Sequence, residues 1–118
     1  MQVIKTPLEG VLVIEPKVFK DSRGFFVETY NEERYMQAGI TARFVQDNMS
    51  ASTYGVVRGL HFQRPPYTQA KLVSCIEGEV LDVAVDLRKD SPTYGQWYSV
   101  LLSAENHRQF FIPRGFAH

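Results

Sequence analysis

Proline and glycine cut this chain into short apolar runs, roughly one break every ten residues, and that spacing favours strands over helices. The 118 residues include 8 glycines and 6 prolines. β-Branched and aromatic residues fill the intervals, as pleated surfaces prefer. Many short, hairpin-linked strands of this kind predict an all-β sandwich or a jelly-roll barrel. One segment alone reads as helical, a short stretch near residues 32–38.

Taken in order, Val11–Phe19 reads as a strand interrupted at Pro16, which has no N–H for a ladder. Asp21-Ser22-Arg23-Gly24 has the residues of a tight turn. Phe25–Tyr30 is the expected return strand, with Phe26 and Glu28 on one face. Asn31 is placed to cap the helix, Glu32 and Glu33 suit its positive first turn, and Gly39 ends it. Phe44-Val45-Gln46 is expected to open another strand. The stretch Val56–Gln63 then reads as a central strand.

Beyond it, Lys71–Ile76 and Glu79–Leu87 flank Glu77-Gly78 and predict a hairpin. In that register Val73 lies opposite Asp82, and Lys71 and Asp82 are diagonal neighbours on one face. Gln96–Leu102 and Arg108–Ile112 complete the strands, around the turn Ser103-Ala104-Glu105-Asn106.

Charge excludes some functions. Thirteen basic residues balance thirteen acidic ones, so no global field recruits nucleic acid, and any anion site must be local. A single cysteine, Cys75, allows neither an internal disulfide nor a thiolate cluster. No apolar run approaches membrane-spanning length, and the first residues are too polar for a signal peptide, which predicts a cytoplasmic protein.

The most informative stretch is Val56-Val57-Arg58-Gly59-Leu60-His61-Phe62-Gln63. It sets a cation, an imidazole and an amide among apolar neighbours, where burial is costly unless such groups are paired or used. By itself His61 reads as a satisfied core histidine. Together with Lys71 it suggests metal-free proton transfer: imidazole takes a proton beside a carbonyl, and ammonium steadies the enolate oxygen. Arg23 and Arg58 are suited to hold a phosphate. No clustered ligand set supplies three metal donors, and no glycine-rich phosphate loop or nucleophile elbow occurs. Arg58 and His61 are three apart, so a regular strand would send them to opposite faces. Placing both in one cavity, with Lys71 lining it, requires a bulge or kink at Gly59–Leu60.

Seven segments, in order, resemble the dTDP-4-dehydrorhamnose 3,5-epimerase family. They are Phe19–Glu28, Phe44–Asn48, Val57–Gln63, Lys71–Val73, Gly78–Asp86, Ser91–Gly95 and Ile112–His118. The resemblance implies a cupin-type jelly roll that needs no metal and no cofactor. It also implies a homodimer with exchanged N-terminal strands and a dTDP-sugar substrate, with no nucleic-acid or membrane partner. Family members epimerise carbons 3 and 5 of dTDP-4-dehydro-6-deoxy-D-glucose, giving dTDP-4-dehydro-L-rhamnose.

By the same resemblance His61 is the general base, Lys71 stabilises the enolate, and Asp82 orients that lysine. Phe19, Arg23, Phe26, Glu28, Gln46, Asn48 and Arg58 belong to the nucleotide and ligand contacts, and His118 lines the sugar pocket. The family continues past this histidine, and its tyrosine acid and the carboxylate of its histidine dyad match no residue here. The chain is therefore expected to be a single epimerase domain, residues 1–118, shortened at its C-terminus. A related dTDP-sugar epimerase or ketoisomerase, and a dTDP-sugar-binding cupin without turnover, are the alternatives.

Overall fold

The computed structural model describes residues 1–118. Nine strands and one helix follow in order: β1 (Gln2–Lys5), β2 (Leu12–Glu15), β3 (Val18–Asp21), β4 (Gly24–Val27), α1 (Glu32–Gln37), β5 (Lys71–Ser74), β6 (Glu79–Asp86), β7 (Trp97–Ser103), β8 (Gln109–Ile112) and β9 (Phe116–Ala117). One sheet runs β1-β2-β8-β5, a second runs β7-β6-β9, and β3–β4 is a separate hairpin. The two sheets face each other as an open jelly-roll sandwich, without closing into a barrel. No helix is long and apolar enough to cross a membrane.

Each face of the first sheet buries its own cluster. Val11, Val13, Phe110 and Ile112 point inward and meet Ala84, Val100, Leu102 and Phe116 of the second sheet. Leu12, Ile14 and Phe111 point outward, where Tyr35 of α1 and Ile40 cover them. This explains why Leu12–Ile14 is apolar at every position instead of alternating: both sides of β2 are buried.

The helix forms as its local signals dictate. Asn31 caps it, its side chain accepting from the Arg34 N–H at 3.0 Å. Its one buried residue, Tyr35, ties it to the first sheet. The phenol oxygen lies 2.6 Å from Gln109 Oε1 and 2.9 Å from the Thr29 carbonyl, to which Gln109 Nε2 also donates at 2.7 Å. Burial pushes the phenol up to about 12. Tyr35→Phe is expected to lower stability by about 1–2 kcal/mol, because a buried amide oxygen loses its donor. A shift in the urea midpoint at unchanged slope would check this.

Several expected strands are differently arranged. Val11–Phe19 is two strands, for β2 stops at Glu15 and β3 begins at Val18, on a different ladder. Pro16 cannot donate to either ladder and marks the corner. The return strand is shorter than Phe25–Tyr30 and ends at Val27. Neither Phe44–Gln46 nor Val56–Gln63 is a strand: residues 41–70 carry no helix or strand. Phe44 instead packs edge-on against Tyr30 and Phe111.

The Glu77-Gly78 hairpin does not form. β5 pairs with β8, Val73 opposite Phe110, and β6 pairs with β7, Asp82 opposite Val100. Turn chemistry is local, but β5 and β6 lie in different sheets, each turning an apolar face to the core between them. Val73 and Ala84 both pack on the cluster between the sheets. Asp82 and Lys71 are therefore not cross-strand neighbours.

Candidate active site

The site grows out of one row of the second sheet. β9 lies against β6 with Val85 opposite Ala117 and Asp86 opposite Phe116. One step further in that register sets His118 opposite Ala84, which faces the core. Asp82 lies two residues along on the same face. His118 Nε2 accordingly reaches Asp82 Oδ1 at 2.5 Å. An ionised carboxylate can only accept, so in this pair Nε2–H donates. Asp82 is buried, at 9% exposure, and its second oxygen has no hydrogen-bond partner.

His61 joins this row through the main chain. Its N–H donates to the His118 carbonyl at 2.7 Å, and the His118 N–H donates back to the His61 carbonyl at 2.9 Å. Two such bonds define a closely paired antiparallel couple, whose side chains share a face. Lys71 approaches from the other sheet. It is paired with Ile112 and shares a strand face with Val73, and both of these pack between the sheets.

His61 and Lys71 open into one cleft of about 270 Å³, with Gln63, Thr68, Gln69 and Phe116 among its walls. Its lining includes one ammonium and no carboxylate. Such a cleft favours negative charge developing on a bound oxygen, and its amides and hydroxyl suit a polyhydroxy ligand. His118 and Asp82 are not among the lining residues. No group of three or more histidine, cysteine, aspartate or glutamate side chains is placed to hold a metal.

The other expected site residues lie elsewhere. Phe19 and Phe26 face each other across the β3–β4 hairpin, 55% and 70% exposed. Arg23 at the hairpin tip pairs with Asp21, Nη2 to Oδ2 at 2.6 Å, and this pairing holds the aspartate below its usual range. Glu28 is bound to Arg34 of the helix at 2.7 Å. Gln46 Nε2 donates to Asn48 Oδ1 at 3.1 Å, both side chains exposed. None of these lines the cleft.

Two expectations are corrected here. The chain bends at Gly59, whose φ is +112°, but in a segment that is no strand, and Arg58 does not reach the His61 cleft. Its guanidinium turns to Ser52 Oγ at 3.0 Å and the Ala51 carbonyl at 3.4 Å. Asp82 orients His118 and not Lys71, since β5 and β6 lie in different sheets. Gln63, Thr68 and Gln69 were not foreseen in the cleft. Gln63 was legible in part, lying two residues from His61; Thr68 and Gln69 follow a stiff proline loop and carry no periodic signal.

The family model for dTDP-4-dehydrorhamnose 3,5-epimerase matches residues 5–118. The epimerase of that name from Shigella flexneri is 60% identical over 119 residues, covering 100% of this chain and 66% of the relative. The crystal structure of the Bacillus anthracis epimerase, with TDP and pyrophosphate bound, has a TM-score of 0.96 at 50% identity, covering 99% of this chain and 67% of that one. A Legionella pneumophila 3,5-epimerase solved with dTDP-4-keto-L-rhamnose has a TM-score of 0.94 at 55% identity, covering 99% of this chain and 62% of that one. The chain spans 62% to 66% of the length of four curated relatives.

Proposed function

This chain belongs to the dTDP-4-dehydrorhamnose 3,5-epimerase family, and from that membership we propose that its protein inverts carbons 3 and 5 of dTDP-4-dehydro-6-deoxy-D-glucose. The product is dTDP-4-dehydro-L-rhamnose. Both carbons flank the 4-ketone, so each C–H bond can release its proton into an enolate. His61 takes the proton, the bonding pair moves to the ketone oxygen, and the Lys71 ammonium stabilises that oxygen. Return of a proton to the opposite face of the carbon completes the inversion. Asp82 fixes the His118 ring, and the His118 main chain in turn holds that of His61.

The observation that carries this reading is the meeting of His61 and Lys71 in one cleft whose lining includes no carboxylate. A carboxylate there would oppose the enolate charge.

The nucleotide is assigned to residues outside that cleft. Phe19 and Phe26 offer a stacking face, and Arg23 and Arg58 offer guanidinium groups for the diphosphate, with Glu28, Gln46 and Asn48 as polar contacts. The hairpin set serves the cleft of a second copy in a cytoplasmic homodimer. Support for association comes from the 41–70 segment, where Val45, Met49 and Val57 are 85%, 83% and 93% exposed.

Incubating the intact protein with the 4-keto sugar nucleotide in deuterated water tests the reaction. Deuterium is expected at both carbon 3 and carbon 5, with the L-configured product, read by NMR. Deuterium at carbon 3 alone would make the protein a one-carbon epimerase. Tight dTDP binding without any label would make it a binding protein.

A further inference from the structure

We propose that Gly59 is a positioning residue: by having no side chain it lets the main chain close onto His118, and this closure sets the His61 ring over the cleft. The inference rests on the reading of His61 as the proton-transfer group and adds what holds that group in place. A Cβ at position 59 would lie 3.1 Å from the His118 carbonyl oxygen, 3.6 Å from its carbonyl carbon and 3.8 Å from the His61 nitrogen. These are the atoms of the bond that His61 N–H makes to His118. They are main-chain atoms and cannot rotate aside as a flexible side chain would.

A methyl group at 59 therefore meets the pair from the edge, and at 3.1 Å the main chain of one histidine must give by a few tenths of an ångström. A displacement of about 1 Å costs on the order of a hundredfold in rate, so a shift of this smaller size costs a fraction of that factor. Two separate demands meet at this glycine, its φ of +112° and its closeness to His118. Gly55 separates them. Its φ is +86°, in the same segment, yet a Cβ there would meet nothing within 4 Å. Gly55→Ala carries the backbone strain without the intrusion.

Three measurements on the intact protein test the proposal. The first needs no variant: the His61 and His118 amide protons are expected to exchange with solvent more slowly than the Phe62 amide proton. Equal rates would overturn it. The second compares Gly59→Ala with Gly55→Ala for label uptake into the sugar. Gly59→Ala is expected to lose roughly fivefold to twentyfold in kcat while Gly55→Ala stays within about twofold. Equal losses in the two, or no loss in Gly59→Ala, would overturn it. The third asks whether Gly59→Ala loses His61 amide protection but keeps its dTDP affinity and its cooperative melt. Retained protection, or a variant that fails to fold, would overturn it, because the damage is confined to the histidine pair. Absence of label uptake by the wild-type protein would reject the proposed reaction instead, and the amide measurements would still decide the role of Gly59.

Discussion

His61→Asn is expected to cut solvent-proton exchange into the 4-keto sugar about 10²- to 10⁴-fold, the usual contribution of a positioned acid–base group. Binding of dTDP should stay within about twofold, since the nucleotide contacts are assigned to other residues. The substitution isolates the ring. The two hydrogen bonds that join residue 61 to His118 are made by main-chain atoms, so asparagine can keep both. His61 is also exposed, so its replacement leaves no cavity in either core cluster. Loss of exchange with dTDP affinity intact would therefore report the chemistry of the imidazole and not collapse of the site. Exchange at the wild-type rate would remove His61 from the mechanism.

Asp86→Ala is expected to destabilise the fold by about 2–3 kcal/mol, because several donors lose a charged acceptor while the Arg88 guanidinium left behind keeps partial access to water. Asp86 is fully buried, and five donors converge on it. Arg88 supplies its main-chain N–H at 2.9 Å, Nε at 3.0 Å and Nη2 at 2.9 Å; the Ser91 and Thr93 hydroxyls each donate at 2.5 Å. This cluster folds the 88–95 loop back on the end of β6, and the Arg88 guanidinium lies 4.7 Å from the ring centre of Phe116.

The same cluster sets an acid limit. Arg88 foremost, with the hydroxyls, holds the Asp86 carboxyl well below the usual carboxylate range, against the opposing effect of burial. The unfolded chain therefore takes up this proton at higher pH than the folded one. The stability Asp86 adds is complete above its unfolded value, about 3.9, and declines as pH falls from there toward the folded value. Urea midpoints measured from pH 7 to pH 2 should fall steeply below pH 4 in the wild type. The Asp86→Ala series should start lower and lose less over that interval. Parallel curves would show that another carboxylate controls the acid limit.

What could be read from the sequence was what is decided locally. Asn31, Glu32, Glu33 and Gly39 dictate a helix within one turn of themselves, and the structure places it at Glu32–Gln37. The Asp21–Gly24 turn is likewise local, and those two residues pair at the end of the β3–β4 hairpin. His61 and Lys71 stood out as polar groups in apolar company, and they meet in one cleft. The Glu77-Gly78 turn misled because strand pairing is settled by which faces find cover, and that depends on β8, more than thirty residues downstream. Val56–Gln63 looked like a strand because it is apolar, yet its main-chain bonds are a local turn from Val56 to Thr53 and the pair that His61 makes with His118, at the far end of the chain. The link from Asp82 to His118 spans 36 residues and follows from the β6–β9 register, which no local pattern announces.

The two bonds between His61 and His118 have a consequence for the order in which this molecule assembles. They close the interval from residue 61 to residue 118, whereas β3–β4 closes on the Asp21–Gly24 turn and β6–β7 on the loop 87–96. Chain entropy disfavours the long closure, and only a prior framework that already holds β9 beside β6 can offset it. Of the elements described, the pairing of His61 with His118 is thus among the last to assemble, and a refolding chain would recover its core before it recovered this candidate site.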